Sequence, residues 1–126
     1  MSTKNKIILI IGIVLAVILL LIFIPKVTTK AGKYDQFAQC IQSSGAEFYG
    51  TFWCVHCQAQ KKMFGSSAKY LPYIECSTAD GKEQLQVCKD KKIEGYPTWI
   101  FKDLSQLSGE IPLATLAEKT QCSLPQ

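Results

Sequence analysis

Apolar residues are distributed differently in the two parts of this chain. Residues 7–24 form an uncharged run of large aliphatic side chains, whereas from residue 34 onward apolar positions recur at the spacings of amphipathic elements. A helix over the run is about 27 Å long, close to the roughly 30 Å hydrocarbon core of a bilayer. The pattern predicts one transmembrane helix followed by a folded unit.

Polar and turn-forming residues divide the chain into four parts. Residues 1–6 precede the transmembrane run at 7–24. Residues 25–33 (PKVTTKAGK) have Pro and Gly without apolar periodicity, which predicts a short tether. Residues 34–126 remain for a single domain.

A cleaved signal peptide is the alternative interpretation of the apolar run. Signal peptides usually have an apolar stretch of about 7–15 residues and a small-x-small cleavage site. This run is longer, and its best candidate site, Thr29-Lys30-Ala31, fits poorly. The run is therefore interpreted as a signal-anchor.

The domain alternates predicted helices and strands. Helices are expected at 34–43, 54–64, 81–92 and from 112 onward. Strands are expected at 46–53, 73–76, 98–102 and 107–111. This alternation predicts an α/β fold with a central sheet.

The distribution of charge excludes a nucleic-acid-binding domain. All fourteen basic residues are lysines, and five of them lie at or before Lys33. From Tyr34 onward nine lysines face ten acidic residues, a net charge of −1. The basic excess therefore flanks the membrane segment, and no nucleic-acid partner is expected.

The motif Cys54-Val55-His56-Cys57 directly follows a predicted strand and begins a predicted helix. A sulfur at a helix N-terminus faces unpaired N–H groups, which favours the nucleophilic thiolate. The first cysteine of such a turn attacks and the second resolves the mixed disulfide. His56 lies between them and, when charged, is placed to pair with the Cys54 thiolate. Stabilising the reduced form makes the disulfide a stronger oxidant.

Other uses of this motif fit the chain less well. Zinc requires four ligands, and the remaining candidates, Cys76 and Cys88, are twelve residues apart rather than in a second CxxC. A c-type haem requires histidine after the second cysteine, where this chain has Gln58. A structural disulfide within CxxC is strained, and strained pairs tend to be redox-active. No metal and no cofactor are therefore expected.

Trp53-Cys54-Val55-His56-Cys57, followed by Gly95-Tyr96-Pro97-Thr98-Trp99, resembles the signature of thioredoxin-like oxidoreductases. More closely, the chain resembles the thioredoxin-like domain fused to bacterial and plant homologues of vitamin K epoxide reductase. The stretches that match are GAEFYG, WCVHCQ, MFG, YIEC and YPTW, between residues 34 and 122. The resemblance implies a thioredoxin-like fold, a central mixed sheet flanked by helices.

The resemblance also implies the substrate side of the site. Pro97 is expected to be cis and to face the active-site disulfide, and Tyr96 to offer backbone groups to an extended substrate. Trp53 is expected at the rim or in the core, with substrate binding as a secondary role. Two positions depart from the family. Val55 stands where proline is usual, and Phe48 stands where thioredoxin has a buried acid.

Three charged residues near the motif receive no chemical role. Glu47 precedes Phe48 and, by strand alternation, points the other way, so no proton transfer is assigned to it. Lys61 and Lys62 on the active-site helix are interpreted as a solvated helix face rather than as groups that raise the local potential.

The remaining cysteines allow three connectivities. The resemblance favours Cys76–Cys88. Cys40 and Cys122 then either pair, if the first and last helices pack together, or remain buried free thiols. Three disulfides would place the domain outside the cytoplasm, with the N-terminus inside and one pass through the cell membrane.

The sequence thus predicts an enzyme, a membrane-anchored protein disulfide oxidoreductase. The expected reaction is oxidation of cysteines in exported substrate proteins. One helix cannot contain the family's fused membrane enzyme, so the expected partner is a separate quinone-linked oxidase of the vitamin K epoxide reductase or DsbB type. The alternatives are a reductase or isomerase, and a redox-silent binding or chaperone module. An intact CxxC with Tyr96-Pro97 counts against the last.

Overall fold

The computed structural model describes residues 2–23 and 31–126. The chain divides into two units at residue 30. In the first unit, helix α1 spans Thr3–Ile22. By length and composition, α1 is able to cross a membrane. It begins before the predicted start at residue 7. The predicted end at residue 24, most of the tether at 25–33 and most of the candidate cleavage site lie outside the described residues.

The second unit alternates short helices and strands. Its α-helices are α2 (Asp35–Ser43), α3 (Val55–Met63), α4 (Gln86–Asp90) and α5 (Leu113–Thr120), and a 3₁₀ helix spans Gly65–Tyr70. Its strands are β1 (Glu47–Gly50), β2 (Tyr73–Glu75), β3 (Thr98–Ile100) and β4 (Gln106–Ser108). The strands form one sheet in the order β2-β1-β3-β4. β1 runs parallel to β2 and antiparallel to β3, and β3 runs antiparallel to β4. The predicted mixed sheet flanked by helices is confirmed.

The two faces of the sheet carry separate apolar clusters because successive side chains on a strand point to opposite sides. On one face, Phe48 of β1 stacks on Trp99 of β3 with ring centroids 4.6 Å apart, and both are fully buried. On the other face, Tyr49 and Ile100 are buried with the Cys76–Cys88 bridge. The active-site cysteines belong to the Phe48 face.

Two disulfides close the domain. Cys40 of α2 is bonded to Cys122 after α5, across 82 residues of sequence. Cys76 at the end of β2 is bonded to Cys88 of α4, across 12 residues. The first bridge joins the beginning of the domain to its end, and the second restrains one local loop.

The helix expected at 81–92 is wrong over its first half. Only Gln86–Asp90 is α-helical. Gln84 instead forms an isolated antiparallel bridge with Ser77, and the Leu85 N–H donates to the Cys76 carbonyl at 2.7 Å. These residues use their backbone groups to pair with the chain after β2, so those groups are not used for helix formation.

The strand expected at 46–53 is also shorter, since β1 ends at Gly50. Residues 51–53 form the turn that leads into the motif. The strand expected at 107–111 ends at Ser108, because Gly109 has a φ of +92° and turns the chain.

The difference in loop length predicts different contributions of the two bridges to stability. In the chain-entropy model, the 82-residue loop closed by Cys40–Cys122 contributes about 4.5 kcal/mol to the free energy of unfolding. The 12-residue loop closed by Cys76–Cys88 contributes about 3 kcal/mol. We expect Cys40→Ala with Cys122→Ala to lower the free energy of unfolding more than Cys76→Ala with Cys88→Ala. Urea unfolding of the full chain in mild detergent, followed by near-UV circular dichroism, measures both. An equal or greater loss in the second variant contradicts the prediction.

Candidate active site

The turn between β1 and α3 places the two cysteines of the motif. Cys54 is the N-cap of α3, and its Sγ accepts a hydrogen bond from the Cys57 N–H at 3.2 Å. The sulfur thus occupies the position of a capping oxygen, where the unpaired N–H groups of the first turn favour negative charge. The predicted context, a strand followed directly by a helix, is the one that the structure has.

Cys57 lies deeper than Cys54. Cys54 is 7% exposed, whereas Cys57 is fully buried, and both are free thiols. Burial, together with the hydrogen bond to the Cys54 side chain, raises the pKa of Cys57 to about 12. A backbone contact from Thr51 and the charge of Lys61 act in the opposite direction. Cys57 is therefore a protonated, shielded thiol at neutral pH.

Gly50 makes room for the Cys57 sulfur. A Cβ atom at Gly50 would lie 2.9 Å from Cys57 Sγ and 2.9 Å from Tyr73 Cε2. Both distances are shorter than van der Waals contact. The last residue of β1 therefore has to lack a side chain if the resolving thiol is to pack against the sheet.

His56 contacts a residue far along the chain. Its Nδ1 lies 2.7 Å from Glu110 Oε1, in the segment between β4 and α5. The imidazole is largely exposed, with 66% of the side chain accessible. The sequence predicted a partnership of His56 with Cys54, and Glu110 was not foreseen, since it follows His56 by 54 residues.

Gln60 connects α3 through hydrogen bonds to the segment between β4 and α5, which also contains Glu110. This fully buried side chain accepts from the Ile111 N–H at 2.6 Å and donates to the Ile111 carbonyl at 3.0 Å. Trp99 Nε1 also donates to its Oε1, at 3.4 Å. Gln60 thereby fixes the backbone beside Glu110. The sequence signal was a polar residue at a core-facing helical position, three residues after Cys57.

The residues assigned to the substrate side are Tyr96, Pro97 and Trp53. The Tyr96–Pro97 peptide bond is cis, and Pro97 is fully buried. Tyr96 is half-buried against the cluster that contains both active-site cysteines, and its ring meets Trp53 edge-on at 6.2 Å. Trp53 is 52% exposed and donates from Nε1 to Ser77 Oγ at 3.0 Å. Trp53 thus lies at the rim rather than in the core.

Exposed apolar side chains surround Cys54. Phe52, Trp53 and Val55 are 49%, 52% and 73% exposed. A small open cleft of about 160 Å³ adjoins Trp53 and Tyr96. We call Phe52, Trp53 and Val55 the apolar rim. Its extent was not predicted from the sequence, because Phe52 and Trp53 fit the end of a buried strand.

Glu47 lies on the opposite face of the sheet from Cys57. Burial opposes its ionisation, but hydrogen bonds from Tyr49 OH at 2.8 Å and Lys91 Nζ at 3.1 Å outweigh that effect and lower the pKa of Glu47. Phe48, on the Cys57 side, is part of the aromatic stack. Neither residue supplies a proton acceptor to the site.

The interpretation of Lys61 as a solvated residue is wrong, whereas Lys62 is exposed as predicted. Lys61 is half-buried, and its Nζ lies 3.2 Å from the centre of the Tyr73 ring. Burial lowers the pKa of Lys61, while Glu75 and Cys57 oppose that shift. The α3 helix therefore presents one lysine to solvent and one to the site.

The fold and the Cys54–Cys57 motif at the start of α3 define the class of thioredoxin-fold disulfide oxidoreductases. The chain belongs to the thioredoxin family, whose model matches residues 26–121. It is 46% identical over 109 residues to thiol-disulfide oxidoreductase LTO1 of Arabidopsis thaliana, an alignment covering 82% of this chain and 29% of that protein.

Two more distant relatives share the domain. The chain is 35% identical over 91 residues to the thioredoxin domain-containing protein 5 homolog of Drosophila melanogaster, covering 65% of this chain and 22% of the relative. It is 31% identical over 85 residues to protein disulfide-isomerase of Humicola insolens, covering 65% and 17%. The chain thus spans less than a third of the length of each of these three relatives.

The contact at Gly50 predicts a cost for any side chain there. Gly50→Ala forces Cys57 or Tyr73 to shift, and overpacking of this kind costs about 1–3 kcal/mol. Gly95→Ala is the matched control, since among the described residues nothing lies within 4 Å of a Cβ at that position. We expect thermal unfolding to show a loss of stability for the first variant and little change for the second. Equal stability of the two variants contradicts the assigned contact.

Proposed function

We propose that this protein is a membrane-anchored disulfide oxidoreductase that oxidises cysteines of exported proteins. The observation that carries the proposal is the asymmetry of the pair. Cys54 caps α3 inside the apolar rim, while Cys57 lies fully buried directly behind it. One sulfur is therefore placed to meet a substrate and the other to release it.

The reaction consists of two exchanges. A substrate thiolate attacks Cys54 Sγ of the oxidised pair, the Cys54–Cys57 bond breaks, and Cys57 leaves as a thiolate that takes up a proton. A second substrate thiolate then attacks the substrate sulfur of the mixed disulfide, and Cys54 leaves. Two electrons pass from the substrate dithiol to the site.

The apolar rim suits an unfolded polypeptide better than a small polar thiol. Exposed apolar groups that border a reactive group mark a binding surface. Tyr96 contacts Trp53 of this surface, and we assign Tyr96, the adjacent Pro97 and Trp53 to binding of an extended substrate segment. His56, held at Nδ1 by Glu110, is assigned to tuning the site from its exposed edge.

Turnover requires an acceptor for these electrons. We assign this role to a quinone-linked membrane oxidase of the vitamin K epoxide reductase or DsbB type, which reoxidises the Cys54–Cys57 dithiol and passes two electrons and two protons to the quinone. The assignment follows from the resemblance to domains fused to such an enzyme. The α1 helix, about 30 Å long by its 20 residues, would hold the domain at the same membrane.

We place the N-terminus in the cytoplasm and the catalytic domain outside it. The argument rests on the cysteines, because the bridges Cys40–Cys122 and Cys76–Cys88 persist in oxidising compartments and are rare in the cytosol. Lysines lie on both sides of the apolar run, so the positive-inside rule gives little direction.

The two cysteines have different predicted phenotypes. Cys54→Ser removes the attacked sulfur, so oxidation of a dithiol model peptide should be abolished. Cys57→Ser leaves the Cys54 thiolate able to attack the disulfide form of the same peptide, with the second peptide sulfur leaving as a thiolate, but it removes the resolving sulfur, so a mixed disulfide should accumulate. Non-reducing gels and mass spectrometry of the full chain with the peptide measure both. Retained peptide oxidation by the Cys54 variant would mean that the chain acts by another mechanism, or as a redox-silent binding module.

The reduction potential of the pair distinguishes a donor of disulfides from a reductase. Equilibration in glutathione buffers, followed by Trp53 fluorescence, should give a value near or above about −180 mV for a disulfide donor. A value near about −270 mV would indicate a thioredoxin-like reductase and reverse the assigned direction of electron flow. Cys40→Ala with Cys122→Ala serves as the control that the signal comes from the active-site pair.

A further inference from the structure

Three polar side chains, two of them charged, form a cluster beside the buried thiol. Lys61 of α3 and Tyr73 and Glu75 of β2 constitute it, and we call it the Lys61 cluster. Phe48 occupies the position of thioredoxin's buried acid, and it packs in the aromatic stack. The charges near Cys57 therefore come from other positions in this chain.

Lys61 and Tyr73 both lie close to Cys57. Lys61 follows Cys57 by four residues, which places both on one face of α3. A Cβ atom placed on Gly50 would lie 2.9 Å from both the Tyr73 ring atom Cε2 and Cys57 Sγ. These two atoms are therefore separated by at most twice that distance. Lys61 Nζ lies over the same ring, 3.2 Å from its centre. The ammonium and the thiol thus adjoin the same ring, and the charge of Lys61 acts on Cys57.

Glu75 anchors the cluster. Its Oε2 accepts from Tyr73 OH at 2.9 Å. Its Oε1 accepts from three backbone N–H groups, at distances of 3.0 to 3.2 Å: Phe52, Cys76 and Ser77. Burial, followed by the hydrogen bond to Glu75, raises the pKa of Tyr73, so this phenol remains a neutral donor. Glu75 therefore fixes the ring and opposes loss of the Lys61 proton.

The neighbours of Cys57 come from three parts of the fold: α3 with its N-cap, β2, and β1 with the residue after it. From α3, the titratable neighbours are Cys54 and Lys61. From β2, Tyr73 lies against the pocket, and Glu75 acts through Tyr73 and Lys61. From β1, the neighbours are Gly50 and the backbone of Thr51. Lys61 is the cation of this set.

We infer that Lys61 stabilises the Cys57 thiolate during disulfide exchange, with Tyr73 and Glu75 as positioning residues. The inference deepens the proposed function and rests on it. When a substrate thiolate attacks Cys54 Sγ, the electron pair of the broken bond goes to Cys57, and the nearby ammonium offsets this charge until a proton arrives from solvent. In the reverse direction the same ammonium assists Cys57 when it attacks Cys54 Sγ and expels the substrate.

The first test measures ionisation of Cys57 alone. Cys54→Ser in the full chain leaves Cys57 as the one unpaired cysteine, and its rate of alkylation by iodoacetamide near neutral pH, where Lys61 is protonated, reports its ionised fraction. On this background, Lys61→Met should lower that fraction about tenfold at a fixed pH below the midpoint. Lys62→Met is the matched control on the same helix and should leave the fraction unchanged. Equal fractions in the two variants would overturn the inference.

The second test measures resolution of a mixed disulfide. With both active-site cysteines present, an aromatic disulfide reagent forms a mixed disulfide on Cys54, and release of its second thiolate reports attack by Cys57. Lys61→Met should slow this step about threefold, because the tenfold loss of thiolate is partly offset by its greater nucleophilicity. Lys61→Arg keeps the charge and should restore the rate. A slow Lys61→Arg variant would show that side-chain shape matters rather than charge, and would overturn the inference.

These outcomes are separable from those that test the proposed function. Both measurements follow Cys57 itself and use no polypeptide substrate or membrane oxidase. A reductase-like potential would therefore reverse the physiological direction and leave the role of Lys61 standing. A null result for Lys61→Met would remove that role and leave the disulfide donor standing.

Discussion

The burial of Cys57 is the constraint on which the rest of the site depends. A thiol with no exposed surface is protected from solvent oxidants and from foreign thiols, yet it has to carry a negative charge each time the active-site disulfide opens. Burial disfavours that charge, and the pKa of about 12 expresses the effect. The surrounding structure makes room for the sulfur at Gly50, and Lys61 supplies a cation close to it.

The domain holds this arrangement from three directions. The Phe48–Trp99 stack fixes the sheet beneath the motif. Gln60 ties α3 to the backbone before α5 and satisfies a buried N–H and a buried carbonyl, each of which would be costly to leave unpaired. The Cys40–Cys122 bridge closes the ends of a domain whose small size limits how much apolar surface it can bury. Together these contacts give α3 a fixed position relative to β1 and β2.

The sequence was sufficient for features that depend on local order along the chain. A strand, a CxxC and a helix in immediate succession predicted the capping role of Cys54, and alternation within β1 placed Glu47 away from Cys57. Features that depend on tertiary contact were not readable. Helical spacing puts Lys61, and not Lys62, on the Cys57 face of α3, but the partial burial of Lys61 depends on the Tyr73 ring twelve residues later. In the same way, Glu110 reaches His56 only after the sheet has brought β4 beside the motif.

The site separates control of rate from control of potential. At neutral pH the reduced Cys57 is a thiol, so a cation that stabilises its thiolate changes the energy of a state reached only during exchange. Such a cation alters the rates of opening and closing in both directions. Under the proposed function, the potential depends instead on groups that act on the form populated at equilibrium, and we assign that role to the helix N-terminus at Cys54 and the neighbouring His56–Glu110 pair. With these assigned roles, rate and direction of electron flow can change independently, because Lys61 acts on the rate, whereas the Cys54 cap and the His56–Glu110 pair act on the potential.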